Sequence, residues 1–184
     1  MDLHELATRD GIGLVIDHMG LRRGVEVGVA FGENAETILS GSTMEALYLV
    51  DPWAYVPGED PAGFADAIKD WDGCFEYCKR KMERFGDRAR IIRASSAEAS
   101  EMFEDGSLDF VYIDANHMRP YIDNDLRLWY PKVRSGGIFG GHDYHKVNTA
   151  NYQCGVKDAV DEFLAGHHIH VTSIDSDPSW YIIK

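Results

Sequence analysis

The feature that most constrains this chain is a rhythm in which short β-branched and aromatic runs alternate with stretches of helical periodicity. VEVGV (25–29), ALYLVD (46–51), ARIIRA (89–94), LDFVYID (108–114) and GGIFGG (136–141) are bounded by turn formers and predict strands covered on both faces. Between them, Phe75, Cys78, Met82 and Phe85 recur at helical spacing, as do Ile122, Leu126 and Trp129, and then Val156, Ala159, Val160, Phe163 and Leu164. Strands alternating with helices predict βαβ units and a mostly parallel sheet. The end of the chain breaks the rhythm. IHVTSID (169–175) and SWYIIK (179–184) are joined by a short polar turn containing Pro178, too short for a parallel crossover, so they predict an antiparallel hairpin.

A chain of 184 residues with no repeat or low-complexity linker predicts a single domain over 1–184, with an N-terminal helical segment at 1–21. Residues 54–71 are the longest stretch without periodicity, and Pro57, Gly58, Pro61 and Gly63 within it suit a lid loop. The formal net charge of −13 disfavours nucleic acid or an anionic membrane as partner, because both repel an acidic surface. Three cysteines at no metal-ligand spacing imply neither a disulfide framework nor a zinc site, and Cys74 and Cys78, one helical turn apart, read as buried thiols. The first ten residues carry early acids and no apolar core, unlike a signal peptide, and no run approaches the roughly 18 apolar residues of a membrane span. The expectation is a soluble, cytoplasmic protein.

Residues 25–39, VEVGVAFGENAETIL, place a strand, a glycine turn and a helix start in succession. Gly28 and Gly32 let a ligand approach the backbone, and the new helix offers free N–H groups. The spacing is G-x-x-x-G, unlike the G-x-G-x-x-G of dinucleotide binders, and Glu26 precedes it by two residues. Asp51 ends the next strand, where a carboxylate can accept ribose hydroxyls.

The ordered set E-x-G-x-x-x-G, LVDPW (49–53), YIDANH (112–117) and GGIFGGHDY (136–144) resembles the class I S-adenosylmethionine-dependent methyltransferases. Within them it is most similar to the small methyltransferases grouped with macrocin O-methyltransferase and cephalosporin hydroxylase-like proteins. The resemblance covers about residues 22–184 and implies an α/β, Rossmann-like sheet of seven strands, the last antiparallel, with helices on both faces. It places the methionine part of S-adenosylmethionine against Glu26, Gly28, Ala30, Phe31, Gly32 and Asn34. It also implies Asp51 at the ribose, Trp53 near the adenosine, Ser95, Ser96 and Ala97 bordering the adenine, and Asp114 facing the cofactor. Trp53 also suits a packing role, and Ser95 and Ser96 could cap the helix that follows.

Asp114 and the pair His142–Asp143 end neighbouring strands, about 4.8 Å apart in any sheet, and so converge above the edge where open α/β folds bind ligands. Related metal-dependent enzymes hold a divalent ion at these positions, which implies Asp114, His142 and Asp143 as metal ligands. The His-Asp pair departs from the family's acidic or amide pair and suits softer ions than Mg²⁺. His117, three residues after Asp114, is the preferred catalytic base, with His142 and then His145 as alternatives, while Asp114 steers the acceptor. His117 could instead cap a helix. His167, His168 and His170 fall at the upstream end of a strand, away from this edge.

The expected function is methyl transfer to a hydroxyl of a small molecule such as a sugar or natural-product precursor, assisted by a divalent metal ion. A homodimer is compatible with so small a domain. Three competing readings are a metal oxygenase or hydroxylase, a nicotinamide-dependent dehydrogenase and a domain that has lost its chemistry. Tyr77 and Lys81 form the Y-x-x-x-K pair of short-chain dehydrogenases, but they lie before the third strand instead of after the fifth. Four polar groups at one strand edge argue against a dead site.

Overall fold

A computed structural model describes residues 11–55, 68–145, 154–172 and 177–184. In chain order the elements are α1 (Ile12–His18), β1 (Arg23–Val27), α2 (Glu33–Gly41), β2 (Ala46–Asp51), α3 (Trp71–Met82), β3 (Ala89–Arg93) and α4 (Ser96–Ser100). They continue with β4 (Leu108–Ile113), α5 (Tyr121–Trp129), β5 (Val133–Gly141), α6 (Val156–Phe163), β6 (His170–Val171) and β7 (Trp180–Ile183). The strands form one seven-stranded sheet in the order β3-β2-β1-β4-β5-β7-β6. The first five run parallel, and β7 inserts antiparallel between β5 and β6.

Side-chain alternation along each strand builds a core on both faces of the sheet. Leu47, Leu49, Phe110 and Tyr112 join one buried cluster with α1, α2 and α3, while Val25, Val27, Val111 and Ile113 join another with α5 and α6. The helical periodicities resolve accordingly. Cys74, Cys78 and Met82 bury one face of α3, and Ile122, Leu126 and Trp129 bury one face of α5. Phe163 ends α6 at the surface, edge-on to Tyr130.

The strand order reverses between β1 and β4, and this switch point opens a crevice beyond the carboxyl ends of the strands. Asp70 caps α3 by accepting from Gly73 N, and Ser95 with Glu98 forms a capping box on α4. Most of the expected lid at 54–71 and the first ten residues of the expected N-terminal helical segment lie outside the described residues. Among the described residues no helix is long and apolar enough to cross a membrane.

Candidate functional site

The turn after β1 passes through three left-handed residues, Gly28 (φ 86°), Ala30 (φ 46°) and Gly32 (φ 77°), before α2 begins. Neighbouring protein, more than a ligand, demands the two glycines. A Cβ on Gly28 would stand 2.2 Å from the carbonyl oxygen of Asp114, because β4 lies directly alongside β1, and one on Gly32 would stand 3.0 Å from Cys78 Sγ. Burial first, then nearby carboxylates, pushes the Cys74 and Cys78 thiols up to about 11 and about 12, so the thiols behind this turn are inert.

Asp51 is buried, and its carboxylate organises the turn. Oδ2 accepts from the backbone N–H groups of Val29 (2.9 Å) and Ala30 (3.0 Å), and Oδ1 accepts from that of Trp53 (2.6 Å). Trp53 is fully buried, stacks edge-on to Phe75 and donates from Nε1 to the carbonyl of Ala30 at 2.8 Å. Its side chain therefore braces the turn from behind, the packing role left open by the sequence. Phe31 packs edge-on to Tyr77, and buried Glu26 accepts from Asn34 Nδ2 at 2.8 Å.

At the next two strand ends, pairing of Ile113 with Gly141 brings Asp114 beside His142 and Asp143. Asp143, left-handed at φ 55°, is the hub. Its Oδ2 lies 2.9 Å from His142 Nδ1 and 3.1 Å from His117 Nε2, and its Oδ1 lies 3.1 Å from His145 Nε2. Burial opposes the charged form of Asp143. The hydrogen bond from His142 and the fields of His117, His142 and His145 outweigh it and hold the carboxyl down at about 2.

These groups face a cavity of about 650 Å³, which also reaches Glu26, Gly28, Ala30, Asn34 and Asp51. Ser95, Ser96 and Ala97 also line it, yet both serine hydroxyls are engaged. Ser95 Oγ caps α4, while Ser96 Oγ donates to Asp125 and accepts from Trp129 Nε1. Phe31, Gly32 and Trp53 are not among its lining residues.

Asp177, Trp71, Tyr121, Asn124 and Asp125 line the cavity without having been singled out by the sequence. Asp177 arrives because β7 runs antiparallel, which carries the turn before it to the carboxyl edge of β5, where Tyr144 N donates to Pro178 O at 2.9 Å. The predicted hairpin was the signal for it. Tyr77 and Lys81 lie outside the cavity lining, with the Lys81 ammonium 5.1 Å above the Tyr77 ring and 3.2 Å from Glu33, consistent with a helix face.

Donor atoms of Asp114, His117 and Asp143 all lie within 4.8 Å of one another, so these residues fit a divalent ion. The trio takes His117 where the sequence reading had His142, which approaches Asp114 Oδ1 at 3.6 Å. One imidazole and two carboxylates suit a borderline ion such as Zn²⁺ or Mn²⁺ better than Mg²⁺. Asp143, His145 and Asp177 form a second such group. His167, His168 and His170 form no such group among the described residues, and His170 stacks on Tyr181.

This geometry has relatives. The chain is similar in fold to a Staphylococcus aureus protein described as a caffeoyl-CoA O-methyltransferase (19% identity, 96% of this chain, 82% of that one, TM-score 0.69). It is also similar to the O-methyltransferase TomG of Streptomyces achromogenes, solved with S-adenosylmethionine (14% identity, 100% and 84%, TM-score 0.68). A third is a Bacillus cereus O-methyltransferase solved with S-adenosylhomocysteine (14%, 96% and 80%, TM-score 0.66). A curated relative, the uncharacterized protein y4gI of Sinorhizobium fredii, is 24% identical over 148 residues, which are 77% of this chain but only 15% of that protein's length. A family model described as a methyltransferase domain matches residues 25–144, from β1 through the histidine-rich strand end. The chain belongs to that methyltransferase-domain family and has the class I, S-adenosylmethionine-dependent methyltransferase fold.

Proposed function

We propose that this chain transfers a methyl group from S-adenosylmethionine to a hydroxyl of a small molecule. The observation that carries the reading is the single cavity joining the Asp51-bound turn to Asp114, His117 and Asp143. Its volume, about 650 Å³, falls in the range of small-molecule sites. The O-methyltransferases among its structural neighbours favour oxygen as the acceptor atom.

S-adenosylmethionine, when bound, supplies a methyl that is already electrophilic, so the chain's own work is alignment and proton removal. Glu26 and the turn at 28–32 hold the amino-acid end, and Asp51, beyond fixing that turn, has lone pairs left for the ribose hydroxyls. Asp114 orients the acceptor, and His117 takes its proton. Asp143, held ionised beside Nε2 of His117, stabilises the imidazolium that results.

Asp114, His117 and Asp143 would also hold a divalent ion, which when bound supplies a Lewis acid to the acceptor oxygen. His117 then belongs to the ion, and His142 is left to take the proton.

Calorimetry with S-adenosylmethionine and S-adenosylhomocysteine tests the proposal, followed by mass-spectrometric screening of hydroxylated small molecules for a gain of one methyl group. Binding of both compounds supports it. Tight binding of a nicotinamide cofactor with neither of these would overturn it.

A further inference from the structure

Methyl transfer and its ion use one side of Asp143, and the other side is built in the same way. Oδ2 of Asp143 turns to His117 Nε2 at 3.1 Å, and beyond it to Asp114. Oδ1 turns the opposite way, to His145 Nε2 at 3.1 Å, and the same ring nitrogen lies 3.1 Å from Oδ1 of Asp177. A neutral imidazole nitrogen carries one proton or one lone pair, so it cannot fully satisfy two equidistant carboxylate oxygens. Two carboxylates closing on one point also repel each other. A divalent cation relieves both problems. Ligand atoms about 2.1 Å from one ion stand roughly 3–3.5 Å apart, the spacing found around His145 Nε2. Donor atoms of Asp143, His145 and Asp177 all lie within 4.8 Å of one another. Among the described residues the cavity lining holds no Lys or Arg to supply the positive charge instead. The Asp177 side chain is 53% exposed, which gives an ion a way in from solvent.

We propose that Asp143, His145 and Asp177 form a second divalent-cation site, with the Asp143 carboxylate bridging it to the ion that Asp114 and His117 would hold. The bridge rests on the ion reading of Asp114, His117 and Asp143, while His145 and Asp177 are ligands of the second site alone. Each site has one imidazole and two carboxylates, so both suit the same borderline ions, Mn²⁺ or Zn²⁺. Three protein ligands leave coordination positions open, and Asp143 and Asp177 both line the cavity. The open positions there are for water or for an oxygen atom of the acceptor.

Mn²⁺ alone is the probe. Titration of metal-free protein, followed by the paramagnetic resonance signal of free Mn²⁺, counts the ions bound, and magnetic coupling in the bound spectrum reports whether they share a ligand. The natural chain should bind two ions, and they should be coupled. His145→Ala and Asp177→Ala should each bind one ion, and coupling should vanish. Asp177 lies on a half-exposed turn, so its replacement leaves the core intact and loss of an ion there cannot come from misfolding. His117→Ala should also retain one ion, now the one on His145 and Asp177. A single ion in the natural chain, kept by Asp177→Ala and lost in His117→Ala, would overturn the second site and leave the first standing. Two ions without coupling would overturn the bridge. Failure of the natural chain to bind any ion would overturn both sites, while S-adenosylhomocysteine binding judges the methyl-transfer reading separately.

Discussion

Nε2 of His117 lies 3.1 Å from Oδ2 of Asp143, joining a turn after β4 to the end of β5 across neighbouring strands. The pair has two uses, as a base with its orienting carboxylate or as part of an ion site. Replacing His117 by Ala should lower turnover by roughly 10²–10⁴ in the first case, with S-adenosylhomocysteine affinity unchanged. Full activity after exhaustive chelation would establish the metal-free use. Loss of activity on chelation, restored by Zn²⁺ or Mn²⁺ in the natural chain but not in Asp143→Ala, would establish the other.

Asp51 holds three backbone N–H groups from two segments, so its removal should loosen the cofactor turn as well as any ribose contact. Asp51→Ala should weaken S-adenosylhomocysteine binding by about 1.5–3 kcal/mol, as expected for a hydrogen bond to a charged group, and should also lower thermal stability. Calorimetry and a melting curve on the same sample check both effects. Weakened binding at unchanged stability would assign Asp51 to the ligand alone.

The two turn glycines should respond differently to alanine. At Gly32 the left-handed backbone costs about 1–2 kcal/mol, and the facing Cys78 Sγ and Met82 Cε can shift. At Gly28 the new methyl group meets the backbone of Asp114, which cannot retreat without breaking the β1–β4 pairing. Denaturant unfolding should show Gly28→Ala to be the more destabilised of the two by a clear margin. Equal losses would mean that β4 yields.

Asp109 ties the sheet together at the opposite edge. It accepts from the backbone N–H groups of Arg22 and Arg23, both at 2.8 Å, and from Arg134 Nε at 2.6 Å. Burial opposes its charged form, but Arg134 and the two N–H groups outweigh it and hold the carboxyl below its ordinary value. A folded-state pKa depressed below the unfolded one contributes stability above the unfolded pKa, and that stability is lost as pH falls through the folded value. Melting temperature should therefore decline with acidification below the usual carboxylate range. Asp109→Asn, less stable at neutral pH by roughly 1–3 kcal/mol, should show a shallower decline. Parallel acid profiles for the two proteins would remove Asp109 from the account.

Periodicity along the chain was enough to locate all seven strands and the helices α3, α5 and α6, because a strand covered on both faces and a one-sided helix leave different apolar spacings. Sequence also placed Asp51, Asp114, His142 and Asp143 at strand ends, since in a parallel sheet every strand end of one sense reaches the same edge. Tertiary structure decided what each group touches there. Gly28 answers to the backbone of Asp114, 86 residues further on, and the Trp53 side chain turns inward to brace Ala30. His117, carried on a turn, closes on Asp143, and Asp125 enters the cavity on a helix whose spacing marks only its buried face. Strand periodicity depends on local side-chain direction, which the sequence records. Contacts between distant segments depend on strand register and on the path of the turns, which arise only when the sheet is assembled.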